Sequence, residues 1–178
     1  MTNNNHKTGT DRIYEAFVKL GRTDIDLIMN LQGDEPLMNI EDIQKLNKHM
    51  IQTKRDLGTL AAKINNKMVF ENQDIVKVIT EESLDDTKFP RAINFMRKLD
   101  KENNQAYHHL GIYCYNVKIL KRFISLKQSQ NEIKNRLEQL RALDNKIDVN
   151  VALAKSSPIG VDTEEDFMAI KKIMEYKS

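Results

Sequence analysis

Two aspartates far apart in the chain stand in settings that suit a divalent metal ion. Asp34 lies in Gln-Gly-Asp-Glu-Pro directly after the apolar run 25–31, and Asp162 lies in Gly-Val-Asp-Thr before an amphipathic stretch. Magnesium binds one or two carboxylates held on fixed turns, together with the phosphates of a substrate. Asp162 alone is better explained as an ordinary helix-preceding aspartate. The matched glycine turns nevertheless predict that the two carboxylates share one cation in a phosphate-chemistry site.

Thr8, Gly9 and Thr10 form a second candidate site, directly before a stretch with helical apolar spacing. Backbone N–H groups and hydroxyls at a helix N-terminus can bind the polar groups of a nucleotide. The same residues can also serve as an ordinary helix N-cap, which needs no ligand. Taken by themselves, these residues leave both interpretations open.

Composition limits the class of protein. The chain has 178 residues, of which 40% are hydrophobic and 30% charged, with a formal net charge of +2. These values are typical of one globular domain, residues 1–178, and give no support for nucleic-acid binding. No apolar run is long enough for a membrane span and the N-terminus has no signal-peptide pattern, so a cytoplasmic location is expected. The one cysteine, Cys114, lies in an apolar run and is expected to be structural.

The elements that must position these residues alternate between strands and helices, which predicts an α/β fold with a mixed, mostly parallel sheet. Apolar runs predict strands at 25–31, 57–64, 75–79, 110–115 and 147–153. Helical apolar spacing predicts helices at 11–20, 40–50, 119–124 and 133–143 and after residue 163. Asn39 and Thr163 are the expected N-caps of two of them, and the polar segment 81–88 is expected to be a loop.

Five motifs make the chain resemble the 3-deoxy-manno-octulosonate cytidylyltransferase family, the CMP-Kdo synthetases. They occur in the family's order at residues 6–12 (HKTGTDR), 31–36 (LQGDEP), 109–113 (HLGIY), 137–141 (LEQLR) and 160–163 (GVDT). Each motif alone is weak, whereas all five in order are highly specific. The resemblance implies a three-layer fold like that of the nucleotide-diphosphosugar transferases. It also implies cytidylyl transfer from CTP to the acid sugar Kdo, which gives CMP-Kdo and pyrophosphate for lipopolysaccharide synthesis.

The resemblance also implies roles for individual residues. Asp34 and Asp162 would be the catalytic residues and would hold Mg²⁺. The nucleotide-binding residues would be Thr8, Gly9, Thr10 and Arg12. The sugar-binding residues would be Gln32, Arg97, His109, Tyr113, Glu138 and Gln139. Structural explanations exist for several of them, because a lone histidine or tyrosine on a strand is commonly a satisfied core group.

The chain departs from the family pattern at several positions. Thr8 stands where serine is usual, Asn94-Phe95 replaces a proline-aromatic pair, and Asn135 stands where glutamate is usual. The family also begins with a strand and an arginine- and lysine-containing loop that grips the CTP triphosphate, and these 178 residues contain no counterpart of it. We therefore expect an N-terminally truncated fold, with negligible activity until a separate N-terminal fragment is supplied.

Three functions remain open from the sequence. The first is the Kdo cytidylyltransferase, which the resemblance implies to be a homodimer. The second is a non-catalytic remnant or binding module of the same family. The third is a cytidylyltransferase for another acid sugar such as sialate, against which the HLGIY and LEQLR motifs argue.

Overall fold

The computed structural model describes residues 1–31, 33, 36–66, 68–99, 103–155, 157 and 163–175. Within these ranges the strands are β1 (Leu27–Asn30), β2 (Leu57–Ala62), β3 (Lys77–Thr80), β4 (Ala92–Met96), β5 (Ala106–Asn116) and β6 (Val149–Leu153). The helices are α1 (Gly9–Leu20), α2 (Ile40–Thr53), α3 (Met68–Glu71), α4 (Val117–Ser125), α5 (Gln130–Asn135), α6 (Leu140–Asp144) and α7 (Glu164–Glu175).

Side-chain caps fix where the first helices begin. The Thr8 hydroxyl accepts a hydrogen bond from the Asp11 backbone N–H and begins α1. The Asn39 side chain does the same for α2 through the N–H of Glu41, which confirms the predicted cap. Each cap satisfies a backbone donor that has no partner inside its helix. The last helix, α7, begins directly after Thr163, also as predicted.

The sheet is built around β5, the longest strand. The strand order is β4-β3-β5-β2-β6. Strands β1 and β3 pair with the edge of β5 opposite to β2, β3 along the N-terminal end of β5 and β1 along its C-terminal end. The predicted mixed α/β sheet is confirmed, but parallel pairing does not dominate. Strands β1, β2, β3 and β6 share one direction, yet only β2 and β6 are parallel neighbours. The reason is that β5 is antiparallel to β1, β2 and β3 and lies between β2 and the other two strands.

One predicted helix is divided in two in the structure, and two observed elements were not predicted. The apolar spacing of 133–143 predicted one helix, but the chain forms α5 and α6 with a break at Arg136, whose backbone φ of 53° is left-handed. This break places 137–139 in a turn between the two helices. Strand β4 and the short helix α3 were not predicted, because β4 has five residues without regular alternation of buried and exposed positions and α3 has four residues.

Helices cover both faces of the sheet, which gives the three expected layers. One face packs against α4 and α6 through Leu120, Phe123, Leu140 and Ala142. The other face packs against α2 through Leu46 and Met50. Gly58 on β2 permits this close approach, because a Cβ atom there would lie 2.8 Å from the Met50 sulfur. In the described part of the chain, no helix combines the length and the apolar character that a membrane crossing requires.

Candidate functional site

His109 and Tyr113 lie together on the β5 face that packs against α4 and α6. Their ring centroids are 5.4 Å apart, and the Phe95 ring meets His109 edge-on at 5.0 Å. The Nε2 atom of His109 lies 3.0 Å from the Thr59 hydroxyl on β2. The structure therefore brings two of the predicted sugar-binding residues side by side and holds the histidine from the neighbouring strand.

Both side chains are buried and uncharged at neutral pH. Burial, with a smaller contribution from the charge of His108, lowers the pKa of His109 to about 3. Burial raises the pKa of Tyr113 well above its ordinary value, and the charges of Tyr115 and Glu138 add to the effect. Desolvation disfavours the charged form of each group. These residues can thus offer neutral donors and acceptors, which suit the hydroxyl groups of a sugar.

Glu138 and Gln139 lie in the turn between α5 and α6. One carboxylate oxygen of Glu138 is buried and lacks a hydrogen-bond partner among the described residues. Arg141 Nη2 is 3.8 Å from it, too far for a good hydrogen bond. Burial raises the pKa of Glu138, and the hydroxyls of Thr8 and Thr10 offset part of that shift. Gln139 is buried as well, with 8% of its surface exposed, so neither residue points into bulk solvent.

The Thr8-Gly9-Thr10 turn meets this region from the N-terminal side. The side chains of Thr8 and Thr10 interact with the Glu138 carboxylate. Thr10 is buried, and its hydroxyl lies 3.4 Å from the Tyr115 hydroxyl on β5. Residues predicted to bind the nucleotide and residues predicted to bind the sugar are therefore adjacent, although they lie more than 100 positions apart in the chain.

Arg12, the fourth predicted nucleotide-binding residue, lies elsewhere. Its guanidinium donates to the Thr2 hydroxyl at 2.9 Å and to the Asn3 carbonyl at 3.2 Å. Both contacts are exposed and belong to the N-terminal segment. The structure does not bring Arg12 to the cluster around Glu138, and its nucleotide-binding role stays a prediction.

Arg97 binds the backbone of the neighbouring loops. Its guanidinium donates to the carbonyl oxygens of Gln73 at 3.1 Å, Asn135 at 3.2 Å and Arg136 at 3.3 Å. The last two carbonyls directly precede the turn that carries Glu138. These contacts favour a part in holding that turn, and the predicted contact with a sugar carboxylate stays a prediction.

Three buried polar residues near this region were not assigned from the sequence. Lys77 is fully buried and donates to the Arg97 carbonyl at 2.7 Å and to the Asn72 carbonyl. Arg141 is buried against Glu132, with its Nε atom 2.8 Å from the carboxylate. Thr59 is buried between the strands. The available signal was one polar residue inside an apolar strand, which applies to Thr59 and to Lys77 in the predicted strand 75–79, and not to Arg141.

Asp34, Asp162 and Gln32 lie outside the described residues, so their predicted roles and the predicted sharing of one cation stay predictions. The chain on either side of them is described. Asn30 on β1 is paired with Tyr113, and the Ser157 hydroxyl lies 2.7 Å from Nδ1 of His108. Within the described ranges, no three His, Cys, Asp or Glu side chains are grouped as a metal site.

Comparisons with known proteins give consistent results. The sequence pattern of the family described as Cytidylyltransferase matches residues 1–151. The 3-deoxy-manno-octulosonate cytidylyltransferase of Thermodesulfovibrio yellowstonii is 41% identical over 184 residues, which are 98% of this chain and 72% of that protein. That of Afipia carboxidovorans is 37% identical over 176 residues, which are 98% of this chain and 70% of that protein.

A solved structure extends the comparison to the fold. CMP:2-keto-3-deoxy-manno-octonic acid synthetase complexed with CTP is 28% identical to this chain and superposes with a TM-score of 0.86, covering 100% of this chain and 72% of that one. The five motifs, the three-layer fold and these relatives all indicate the same family. The chain belongs to the 3-deoxy-manno-octulosonate cytidylyltransferase family.

Proposed function

We propose that this chain transfers a cytidylyl group from CTP to Kdo, giving CMP-Kdo and pyrophosphate. One observation carries the proposal beyond family membership: the Thr8-Gly9-Thr10 turn lies against Glu138 and Tyr115, beside Tyr113 and His109. A nucleotidyl transfer requires both substrates to be held with their reacting atoms in contact. A turn suited to a nucleotide and a polar pocket suited to a sugar are here part of one cluster.

The sugar side of the cluster fits a polyhydroxylated ligand. Neutral His109 and Tyr113 can exchange hydrogen bonds with hydroxyl groups, and the Glu138 oxygen without a partner can accept another. Leaving such buried groups without partners costs about 1–3 kcal/mol each. A ligand that supplied those partners would recover that free energy, whereas an apolar ligand would not.

Asp34 and Asp162 are proposed to hold Mg²⁺ in this site. Two carboxylates are donors that Mg²⁺ prefers, and the bound ion would neutralise charge on the α-phosphate and on the leaving pyrophosphate. Asn30, four residues before Asp34, pairs with Tyr113, and Ser157, five residues before Asp162, contacts His108. Described residues close in sequence to both aspartates therefore contact β5, which supports the proposal.

The direct test measures binding and turnover separately. Calorimetric titration with Kdo and with CTP, in the presence of Mg²⁺, tests the pocket without requiring catalysis. Turnover is followed by pyrophosphate release and by detection of CMP-Kdo, with sialate as the competing acid sugar. We expect Kdo to bind and sialate not to bind. Binding of neither sugar would refute the proposal, and Kdo binding without turnover would support the binding-module alternative.

Turnover is assayed for the chain alone and for the chain mixed with the N-terminal segment of the Thermodesulfovibrio relative. Phosphoryl-type transfer depends on cationic groups placed around the phosphates, so the comparison measures whether the added segment changes turnover. Asp34→Asn in the same mixture should abolish turnover. Light scattering tests the proposed homodimer, and fractionation of cells tests the proposed cytoplasmic location.

A further inference from the structure

The pairing of β5 with β2 is interrupted next to His109. Thr59 pairs with Tyr113, but the next residue of β2, Leu60, pairs with Leu110. The pairing register therefore skips residues 111 and 112 of β5 at this point. A bulge of this kind re-aims the side chains on either side of it, and buried carbonyls without partners are costly.

The Thr59 hydroxyl contacts the backbone of β5 at this bulge. It lies 2.7 Å from the Ile112 carbonyl oxygen and 3.3 Å from the Leu110 carbonyl oxygen. A carbonyl oxygen can only accept, so the single hydroxyl proton of Thr59 is donated to the backbone. Thr59 is fully buried, which excludes solvent as an alternative partner.

This arrangement determines the state of His109. Its Nε2 atom lies 3.0 Å from Thr59 Oγ1, whose proton is already committed to a carbonyl. The contact is a hydrogen bond only if Nε2 carries the proton and donates it to Oγ1. The reverse tautomer would set two lone pairs against each other in a buried place. The ring is also uncharged at neutral pH because burial lowers its pKa to about 3.

The other ring nitrogen, Nδ1, is then an acceptor. In the described part of the chain its ring neighbours are Phe95 and Tyr113, and Thr59 is its hydrogen-bonding neighbour, through Nε2. The hydrogen bond of the His109 ring to the described residues is made through Nε2, and 7% of the His109 surface is exposed. As an acceptor without a donor among the described residues, Nδ1 can accept a hydrogen bond from a ligand.

We propose that Thr59 is a positioning residue that fixes His109 as the tautomer with its proton on Nε2, so that Nδ1 accepts a hydrogen bond from a hydroxyl of the sugar substrate. The proposal rests on the function proposed above for its ligand. In this tautomer the His109 imidazole donates no proton to the ligand and acts only as a hydrogen-bond acceptor. A sugar hydroxyl fits that acceptor, whereas a carboxylate or phosphate oxygen does not.

The experiment uses the full chain labelled with ¹⁵N-histidine and two substitutions at one position. Thr59→Val removes the hydroxyl at nearly constant volume, and Thr59→Ser keeps it. Thr80→Val is the matched control, since Thr80 is also fully buried and donates its hydroxyl proton to a carbonyl, that of Glu82, at 2.6 Å. Long-range ¹H–¹⁵N spectra at pH 7 report which ring nitrogen carries the proton, with the His109 signals assigned by their loss in His109→Gln.

We expect the proton on Nε2 in the wild type, in Thr59→Ser and in Thr80→Val, and a mixture of tautomers in Thr59→Val. The Kd for Kdo should rise about 3- to 10-fold in Thr59→Val, as for loss of one neutral hydrogen bond, and should change less than about twofold in the other two. Circular dichroism establishes that each variant is folded.

Two results would overturn the proposal: a proton on Nδ1 of His109 in the wild type, or unchanged Kdo affinity in Thr59→Val. Because the tautomer is measured without ligand, failure of the proposed function is distinguishable. If the wild type has the expected tautomer but does not bind Kdo, the proposed function is wrong, and with it the ligand half of this inference.

Discussion

Two glutamates six positions apart on the α5–α6 segment have opposite environments. Glu132 is buried and receives hydrogen bonds from Arg141, from Gln128 at 3.1 Å and from the Ser129 backbone N–H at 3.1 Å. Burial alone would raise the pKa of Glu132, but the bonds from Arg141 and Gln128 outweigh it and lower that pKa. Glu138 has one buried oxygen without a partner in the described residues, and burial raises its pKa.

The difference separates a structural carboxylate from one that is held ready for a ligand. Glu132 has every partner that it needs within the fold, so its contribution is to stability. Glu138 Oε1 lies 3.8 Å from Nη2 of the same arginine, Arg141, which permits an electrostatic interaction but is too long for a good hydrogen bond. A group kept partly unsatisfied in a native structure requires an explanation, and ligand binding is the explanation proposed here.

The largest expected effect is the loss of the structural pair. Arg141→Met should lower the free energy of unfolding by about 3–5 kcal/mol, because it leaves the Glu132 carboxylate buried without its cation. Urea denaturation measures this loss. Arg22→Met is the control, since Arg22 and Asp24 form an exposed, solvent-screened pair whose removal should change stability far less. Equal losses in the two variants would contradict a structural role for the buried pair.

Glu138→Gln should have the opposite profile. Stability at pH 7 should be unchanged or higher, because the buried oxygen no longer belongs to a charged group. Affinity for the sugar should fall about 10- to 100-fold, as expected when a hydrogen bond to a charged group is lost. Calorimetry with Kdo and urea denaturation measure the two quantities on the same sample. If Glu138→Gln destabilises the fold and leaves Kdo binding intact, Glu138 is structural like Glu132.

A smaller effect is expected at the turn that approaches Glu138. Thr8→Ala should cost about 1 kcal/mol of stability through loss of the α1 N-cap, and it should also weaken CTP binding. Asn39→Ala removes the corresponding cap of α2 and should lower stability similarly without changing CTP affinity. Thr8→Ser should preserve both properties. Parallel behaviour of Thr8→Ala and Asn39→Ala in CTP titrations would leave Thr8 as a cap and nothing more.

The smallest effect is a difference of sign in pH dependence. Because the pKa of Glu132 is lower in the folded state than its ordinary 4.5, its stabilising contribution is present above that pH and is lost as the pH falls. Because the pKa of Glu138 is raised above 4.5, its contribution is present below that pH and is lost as the pH rises. Urea midpoints of the wild type, Glu132→Gln and Glu138→Gln between pH 3.5 and 7 measure this. The prediction would be contradicted if both substitutions changed the pH dependence of the urea midpoint in the same direction relative to the wild type.

The sequence was sufficient for much of the fold because its signals are local. Strand β2 is apolar and α2 has both a cap and an apolar stripe, so their approximate limits could be predicted. The break between α5 and α6 could not be predicted, because Arg136 adopts a left-handed φ without a glycine or proline to indicate it in the sequence. Parallel pairing was overestimated for a similar reason: the position of β5 between three strands depends on contacts across the whole chain.

The candidate site could be predicted only as far as motifs reach. His109, Tyr113 and Glu138 were identified by resemblance, and the structure brings them together with Thr8 and Thr10. The contacts by which neighbouring residues hold them were not identified. Lys77 and Arg97 act through backbone carbonyls, which are the same in every residue type and leave no pattern in the sequence. Thr59 depends on a two-residue bulge that appears only when β2 and β5 are aligned in space.

The central position of β5 has a consequence for how the chain folds. Strands β1, β2 and β3 cannot pair with their common partner until residues 106–116 have been synthesised, whereas the β3–β4 hairpin can form from local contacts. During synthesis at about 5–20 residues per second, β2 precedes β5 by several seconds. All six β2 residues are destined for burial, so an apolar segment stays uncovered during that interval. The nascent chain is therefore exposed to aggregation, and to binding by chaperones, until its central strand is made.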